Sequence, residues 1–232
     1  MARGLIWATA EDLQRNRGRV LSLYREILRS LNSPSLPLTF AARIAKKTKK
    51  PMRAITWTPP IEGTIKVNVD GSSFNNPGRS GFGGVLRDSN GNWLLGFSSF
   101  IGISTSLCAE LHAILNGLKI AQAEGFRNII IESDSTLAVN FACHRTSQLH
   151  PYTPLIQQIR HLHRADWNAS FHRTLREGNE CADWLAKTGA SSNDTLKIWN
   201  SCPPQLSLVL LADIVGVARR RKDKYYTKFT HE

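Results

Sequence analysis

Asn128-Ile129-Ile130-Ile131-Glu132-Ser133-Asp134 is the stretch whose reading decides the fold. Its three consecutive isoleucines read as the core of a strand buried on both faces. A helical pattern from about Thr105 to Glu124 precedes it. Before that come three strand-like runs, Thr64 to Asp70, Gly81 to Asp88 and Asn92 to Ile101, with Ser89-Asn90-Gly91 as a hairpin turn between the last two. An antiparallel meander followed by strand, helix and strand implies that the Asn128 strand pairs in parallel. Downstream, helices around Ser135 to His144 and Thr153 to Arg164, a strand from Asn168 to Leu175 and a helix from Asn179 to Thr188 complete the pattern. The expected class is α/β, a mixed sheet flanked by helices.

Outward from this core, Leu13, Val20, Leu21, Tyr24, Ile27, Leu28 and Leu31 fall on one helical face, which predicts an amphipathic helix ending at Asn32-Ser33-Pro34. The run Lys46-Lys47-Thr48-Lys49-Lys50-Pro51 reads as a linker that Pro59-Pro60 and Gly63 extend. The expected organisation is a helical segment over 1–45, a basic proline-containing linker over 46–63, a compact domain over 64–190, and a C-terminal extension over 191–232 with a basic tail.

The formal charge is +12, but it is unevenly spread. Residues 1–53 hold twelve Lys/Arg against three acids and residues 219–232 hold six against two, whereas 54–218 hold twelve against thirteen. The basicity belongs to the two ends. These ends read either as arms with non-specific affinity for phosphates or as solvated tails. No apolar run approaches the roughly 20 residues that span a bilayer, and the first residues lack the apolar stretch of a secretory signal. An intracellular protein without a membrane partner is expected, its compartment (nucleus, cytoplasm or mitochondrion) left open. Cys108, Cys143, Cys181 and Cys202 form no C-x-x-C pair and are expected to be reduced, buried and chemically quiet.

Four acids stand where folding alone would not put them. Asp70 ends its strand before Gly71-Ser72, and Asp134 repeats that situation after Ser133, so both reach the carboxyl edge where ligands of α/β sheets gather. Glu110 lies on the helical stripe defined by Leu107 and Ile114, where a carboxylate needs a partner. Asp183 falls in the first turn of the last helix, beside inward-facing Ala182, Leu185 and Ala186. Singly, three of them have another reading: Asp70 as a turn former, Asp134 as a helix cap, Asp183 as a first-turn acid favoured by the helix dipole. Together, four converging carboxylates repel one another unless a cation neutralises them. Oxygen ligands without cysteine or histidine point to Mg2+ or Mn2+, and two such ions suit phosphodiester hydrolysis.

These residues carry a family resemblance. Val67-Asn68-Val69-Asp70-Gly71-Ser72, Asn76-Pro77-Gly78, Gly81-Phe82-Gly83-Gly84, Ala109-Glu110-Leu111, Glu132-Ser133-Asp134-Ser135 and Glu177-Gly178-Asn179-Glu180-Cys181-Ala182-Asp183-Trp184-Leu185-Ala186 resemble type 1 ribonuclease H. More narrowly, they are similar to plant ribonuclease H-like domains related to retroelements, over about residues 64–190. The stretch from Pro203-Pro204 to Gly216-Val217 resembles the ending of those plant domains. The resemblance implies a five-stranded mixed sheet, two Mg2+ (or Mn2+) ions on Asp70, Glu110, Asp134 and Asp183, and cleavage of the RNA strand of RNA–DNA hybrids. It also implies that Gly71, Ser73 and Asn76 lie along the RNA strand, where 2′-hydroxyls distinguish RNA from DNA. Many relatives carry a histidine ten residues before the last aspartate; this chain has Arg173 there, with His172 beside it. A catalytically weak nucleic-acid-binding module of the same fold is therefore the first alternative.

The segment around Leu23-Tyr24-Arg25, with Arg29 and Phe40 following, resembles the opening of LYR-motif proteins, which are small mitochondrial helical proteins that bind acyl carrier protein. About fifty residues match before the lysine-rich run, room for two helices rather than three. An assembly adaptor that contacts acyl carrier protein through Leu23, Tyr24 and Arg25 is the second alternative. A truncated segment that merely extends the chain is the preferred reading of this stretch.

Overall fold

The computed structural model describes residues 54–144, 149–164 and 166–220. The chain divides between residues 52 and 53, and the described residues belong to the second unit. The expected N-terminal helix, with Leu23, Tyr24 and Arg25, lies outside them.

The strands are β1 (Ala54–Ile55), β2 (Ile65–Ser73), β3 (Gly78–Arg87), β4 (Trp93–Ser104), β5 (Asn128–Ser133), β6 (Asn168–Arg173), β7 (Lys197–Trp199) and β8 (Arg219–Arg220). The α-helices are α1 (Ser106–Ala123), α2 (Thr136–Cys143), α3 (Thr153–His163), α4 (Glu180–Ser191) and α5 (Ser207–Val215). The main sheet runs β6-β5-β2-β3-β4-β7; β2 pairs β5 and β5 pairs β6 in parallel, and the other pairings are antiparallel. The five expected strands are all present in a mixed order, and the short β7 adds a sixth at the edge. The β3–β4 hairpin closes as its sequence predicts: Asp88 Oδ1 accepts from the backbone N–H of Asn90 and Asn92, each at 2.9 Å, and Gly91 takes a φ of +79°.

Strand alternation sorts the β2 and β3 side chains onto two faces. Val67, Val69, Phe82 and Leu86 face α1 and join Leu111, Ile114 and Leu118 in the larger apolar core. Ile129 and Ile131 are buried there, while Ile130 is half-buried. Val85 packs on the opposite side with Cys181, Leu185 and Leu206. Helix α4 lies very close to β3 on that side. A Cβ on Gly81 would stand 2.2 Å from the Ala190 backbone nitrogen, and one on Gly83 would stand 2.5 Å from that of Ala186. Only the missing side chains permit that approach.

The flanks contribute to the second face. Ile55 and Trp57, within the stretch expected to be linker, are buried. From the C-terminal extension, Trp199 Nε1 donates to Ser98 Oγ at 3.0 Å and receives Trp93 Nε1 at its carbonyl at 3.0 Å, while β8 pairs antiparallel with β1. The folded unit thus begins before Thr64 and runs past residue 190. The expectation that all four cysteines are buried is corrected at Cys143, which ends α2 and is exposed; Cys108 and Cys202 are intermediate and Cys181 is buried. All four are free. Among the described residues, no helix is long and apolar enough to cross a membrane.

Candidate active site

The β2–β5 register fixes the first two carboxylates. Its last pair is Val69 with Ser133, so Asp70 and Asp134 follow side by side, one residue beyond it. Asp70 does not end its strand as expected; β2 continues to Ser73, held by β3, and Asp70 is opposite Gly83. Asp134 sits at the strand end, and the cap of α2 belongs to its neighbour: Ser135 Oγ accepts from the Ala138 N–H at 3.3 Å. The Asp134 carboxylate is not needed for that task.

Glu110 arrives from α1. Thr105 caps that helix, its Oγ1 accepting from the Cys108 N–H at 3.2 Å and lying 2.6 Å from the Tyr152 hydroxyl. Gly71 allows the helix to approach β2, for a Cβ there would stand 2.2 Å from the Glu110 nitrogen. Ser133 Oγ donates to Glu110 Oε2 at 3.3 Å. Among the described residues, Asp70, Glu110 and Asp134 offer oxygens that all lie within 4.8 Å of one another.

The protonation chemistry follows from that crowding. Burial, then the charges of Glu110, Asp134 and Asp183, hold the Asp70 carboxyl well above the usual range. Burial, then Asp134, pushes Glu110 up to about 8, against hydrogen bonds from Ser133 and the Gly71 backbone. Burial also raises Asp134, with the Arg176 charge acting the other way. Two buried carboxylates and a half-buried third that cannot all ionise comfortably, with only oxygen donors, fit a hard divalent cation. The donor set therefore suits the metal that the sequence implied.

Asp183 is close enough for its charge to raise both Asp70 and Asp134. Its own oxygens are held by cations: Arg176 Nη2 lies 2.9 Å from Oδ1 and Lys187 Nζ lies 2.5 Å from Oδ2. Ser73 Oγ donates to the Ser104 carbonyl at 3.0 Å, and Asn76 Oδ1 accepts from the Ser106 N–H at 2.8 Å, so the β2–β3 turn is tied to the start of α1. His172 and Arg173 are exposed on the outer strand β6, in register with Glu132 and Ser133. Two residues at the site escaped the sequence reading. Arg176 brings the positive charge there, and Asn179 Nδ2 donates to the Val69 carbonyl at 2.9 Å, fastening the start of α4 to β2. Asn179 lies within the quoted motif; Arg176 borders it and carries no signal of its own.

A mixed sheet with acids from its first long strand, the helix that follows the meander, and the neighbouring parallel strand defines the ribonuclease H class of fold. The chain belongs to the reverse transcriptase-like family, whose profile matches residues 68–189. A protein of Arabidopsis thaliana that carries a ribonuclease H name is 35% identical over 170 residues, which are 73% of this chain and 27% of that relative. The chain thus spans about a quarter of the length of this relative. Among solved structures, ribonuclease H1 of the archaeon Halobacterium salinarum superposes with a TM-score of 0.51 at 27% identity, covering 55% of this chain and 98% of the other. LC11 ribonuclease H1, isolated from compost by a metagenomic approach, was solved with an RNA/DNA hybrid and has the same score and identity over 55% and 96%. Separately, residues 12–58 match the profile of the LYR motif containing domain.

Proposed function

We propose that the chain is a metal-dependent endonuclease that hydrolyses the RNA strand of RNA–DNA hybrids. The observation that carries this reading is the meeting of Asp70, Glu110 and Asp134 within 4.8 Å, at the positions where their family resemblance expects metal ligands. The similarity to hybrid-bound LC11 ribonuclease H1 supports the substrate class. These acids would hold Mg2+ or Mn2+, which would supply charge neutralisation and an activated water for phosphodiester hydrolysis. Asp183, once released from Arg176 and Lys187, would complete a second ion site, and the freed Arg176 guanidinium would be available to a phosphate. Gly71, Ser73 and Asn76 border the path of the RNA strand. The test is cleavage of a labelled hybrid in Mg2+, beside single-stranded RNA and duplex DNA, with Asp70→Asn as the control. Hybrid-selective cutting that vanishes in the variant supports the reading.

The two cations already seated on Asp183 favour a second reading, in which the fold binds hybrid without cutting it. Folded wild-type protein that retains hybrid yet leaves it intact in Mg2+ selects that alternative. The profile match over residues 12–58 supports a separate role for the N-terminal segment, contact with acyl carrier protein through Leu23, Tyr24 and Arg25. Co-purification that is lost on Tyr24→Ala and Arg25→Ala supports it, and absence of the complex removes it.

A further inference from the structure

Behind the carboxylates lies a buried polar chain that the proposed reaction does not use. Asn68 precedes Asp70 by two residues on β2, and Glu132 precedes Asp134 by two on β5, so strand alternation sends each pair to one face. The register sets Asn68 beside Glu132, and Asn68 Nδ2 donates to Glu132 Oε2 at 3.0 Å. Asn68 Oδ1 accepts from Trp57 Nε1 at 2.9 Å and from Arg87 Nη2 at 2.7 Å. Both of those are donors, so the amide can point only one way. Arg87 Nη1 lies 2.6 Å from Asp213 Oδ2 of α5, with both side chains 1% exposed. Arg219 of β8 holds the other Asp213 oxygen at 2.6 Å, and Lys66 holds Glu132 Oε1 at 2.6 Å.

Buried ion pairs are poor sources of net stability, since desolvation offsets most of their attraction. What they do well is fix geometry, and the spacing of β2 from β5 is what needs fixing here. The parallel ladder between β2 and β5 ends at Val69 and Ser133, so no backbone pairing between these strands restrains Asp70 and Asp134 just beyond it. When both are ionised to receive a cation, their like charges push them apart. The side-chain bond between Asn68 and Glu132 is a tie between the same two strands, next to that end and on the face of the two aspartates. We propose that Asp213, Arg87, Asn68 and Glu132 form a positioning chain that sets the separation of Asp70 and Asp134, and with it the affinity of the site for a divalent ion. The C-terminal extension thereby becomes part of the active site's support. This inference rests on the carboxylates binding divalent ions, as proposed above.

Asn68→Asp isolates the tie. It keeps an oxygen for Trp57 and Arg87, removes the amide donor, and sets a negative charge against Glu132. Added charge alone would tighten cation binding, whereas a lost tie weakens it, so the two effects differ in sign. Combining Asn68→Asp with Glu132→Gln restores one donor and one acceptor in the reverse sense, at unchanged total charge. The measurement is Mn2+ affinity of the intact chain by calorimetry, with thermal unfolding in EDTA as a check of folding. Asn68→Asp is expected to weaken Mn2+ by about tenfold, the effect typical of residues that orient metal ligands, and the double exchange to return it close to wild type. Arg87→Gln, in the middle of the chain, removes a positive charge, which alone would tighten cation binding; it is expected to weaken Mn2+ instead and serves as the deciding variant if Asn68→Asp does not fold. Unchanged or tighter binding in a folded single variant, or a double exchange no better than Asn68→Asp, overturns the proposal. Wild-type protein that binds Mn2+ with this pattern but cuts no hybrid overturns the proposed function and leaves the positioning chain standing.

Discussion

Replacing Asp134 by asparagine is expected to stabilise the metal-free protein. Glu110 is raised from 4.5 to about 8. At 1.36 kcal/mol for each pKa unit, keeping it ionised in place costs at most about 5 kcal/mol. Burial is the larger cause and survives the substitution; the Asp134 charge is the next, and it disappears. Asp70 is relieved in the same way, and asparagine keeps an oxygen able to accept the hydrogen bond that protonated Asp70 donates to position 134. A gain of about 1–2 kcal/mol at pH 8 is a reasonable share of that ceiling, or roughly 3–6 °C in Tm for a domain of this size. The pH dependence has a definite sign. A carboxyl whose folded pKa lies above its unfolded value binds more protons when folded, so its contribution to stability is intact below pH 4.5 and falls as pH rises toward 8. The advantage of the variant should therefore be largest in EDTA at pH 8 and shrink by pH 5. With Mg2+ at one hundred times its Kd the order should reverse, because the wild type then gains about 2.7 kcal/mol from binding. Thermal unfolding at both pH values, with EDTA and with Mg2+, measures all four conditions. A variant that is less stable than wild type in EDTA at pH 8 would refute the reasoning.

Four other substitutions, two of them combined, probe the scaffold. Gly71→Ala forces a methyl against the Glu110 backbone, so a loss of about 1–3 kcal/mol is expected in chemical denaturation, together with weaker Mn2+ binding by calorimetry. Arg87→Leu leaves Asp213 with one cation instead of two and is expected to cost about 3 kcal/mol, whereas Arg87→Leu with Asp213→Leu should cost less than the single change; urea titration of both decides it. Thr105→Ala removes the cap of α1 and its contact with Tyr152, an expected loss of about 1 kcal/mol read from the shift in Tm.

The elements that carry the acids were legible because their signals are local. The Asn90-Gly91 turn, the apolar run at Ile129 to Ile131 and the stripe around Glu110 each occupy a few adjacent residues, and each produced the expected element. Asp70, Glu110 and Asp134 were legible as a group because a carboxylate on an apolar stripe or beside a buried strand needs a reason. The second face was not. Arg87 meets Asp213 across 126 positions of sequence, and nothing near either residue announces the other. Trp57 and Ile55 lay within a stretch rich in proline and lysine, where composition outweighed two apolar side chains. Strand β7, at three residues, is too short to show a period. For Asp183 the i+4 spacing to Lys187 was available, but the partner at Arg176 depends on how the chain turns into α4. Such an ion pair is invisible until that turn is known.

Strand β8 returns to β1, so that Ala54 pairs with Arg220. Residues 54 and 220, far apart in sequence, are therefore neighbours in space. A module with this property is a cassette: it can be spliced into a longer polypeptide at a single point with little separation of the flanking chain. Such portability suits a sequence whose match occupies only 27% of its Arabidopsis relative. It also means that a few residues could bridge positions 54 and 220 in a circular permutation, with new ends cut in an exposed loop, while every strand pairing of the main sheet is kept.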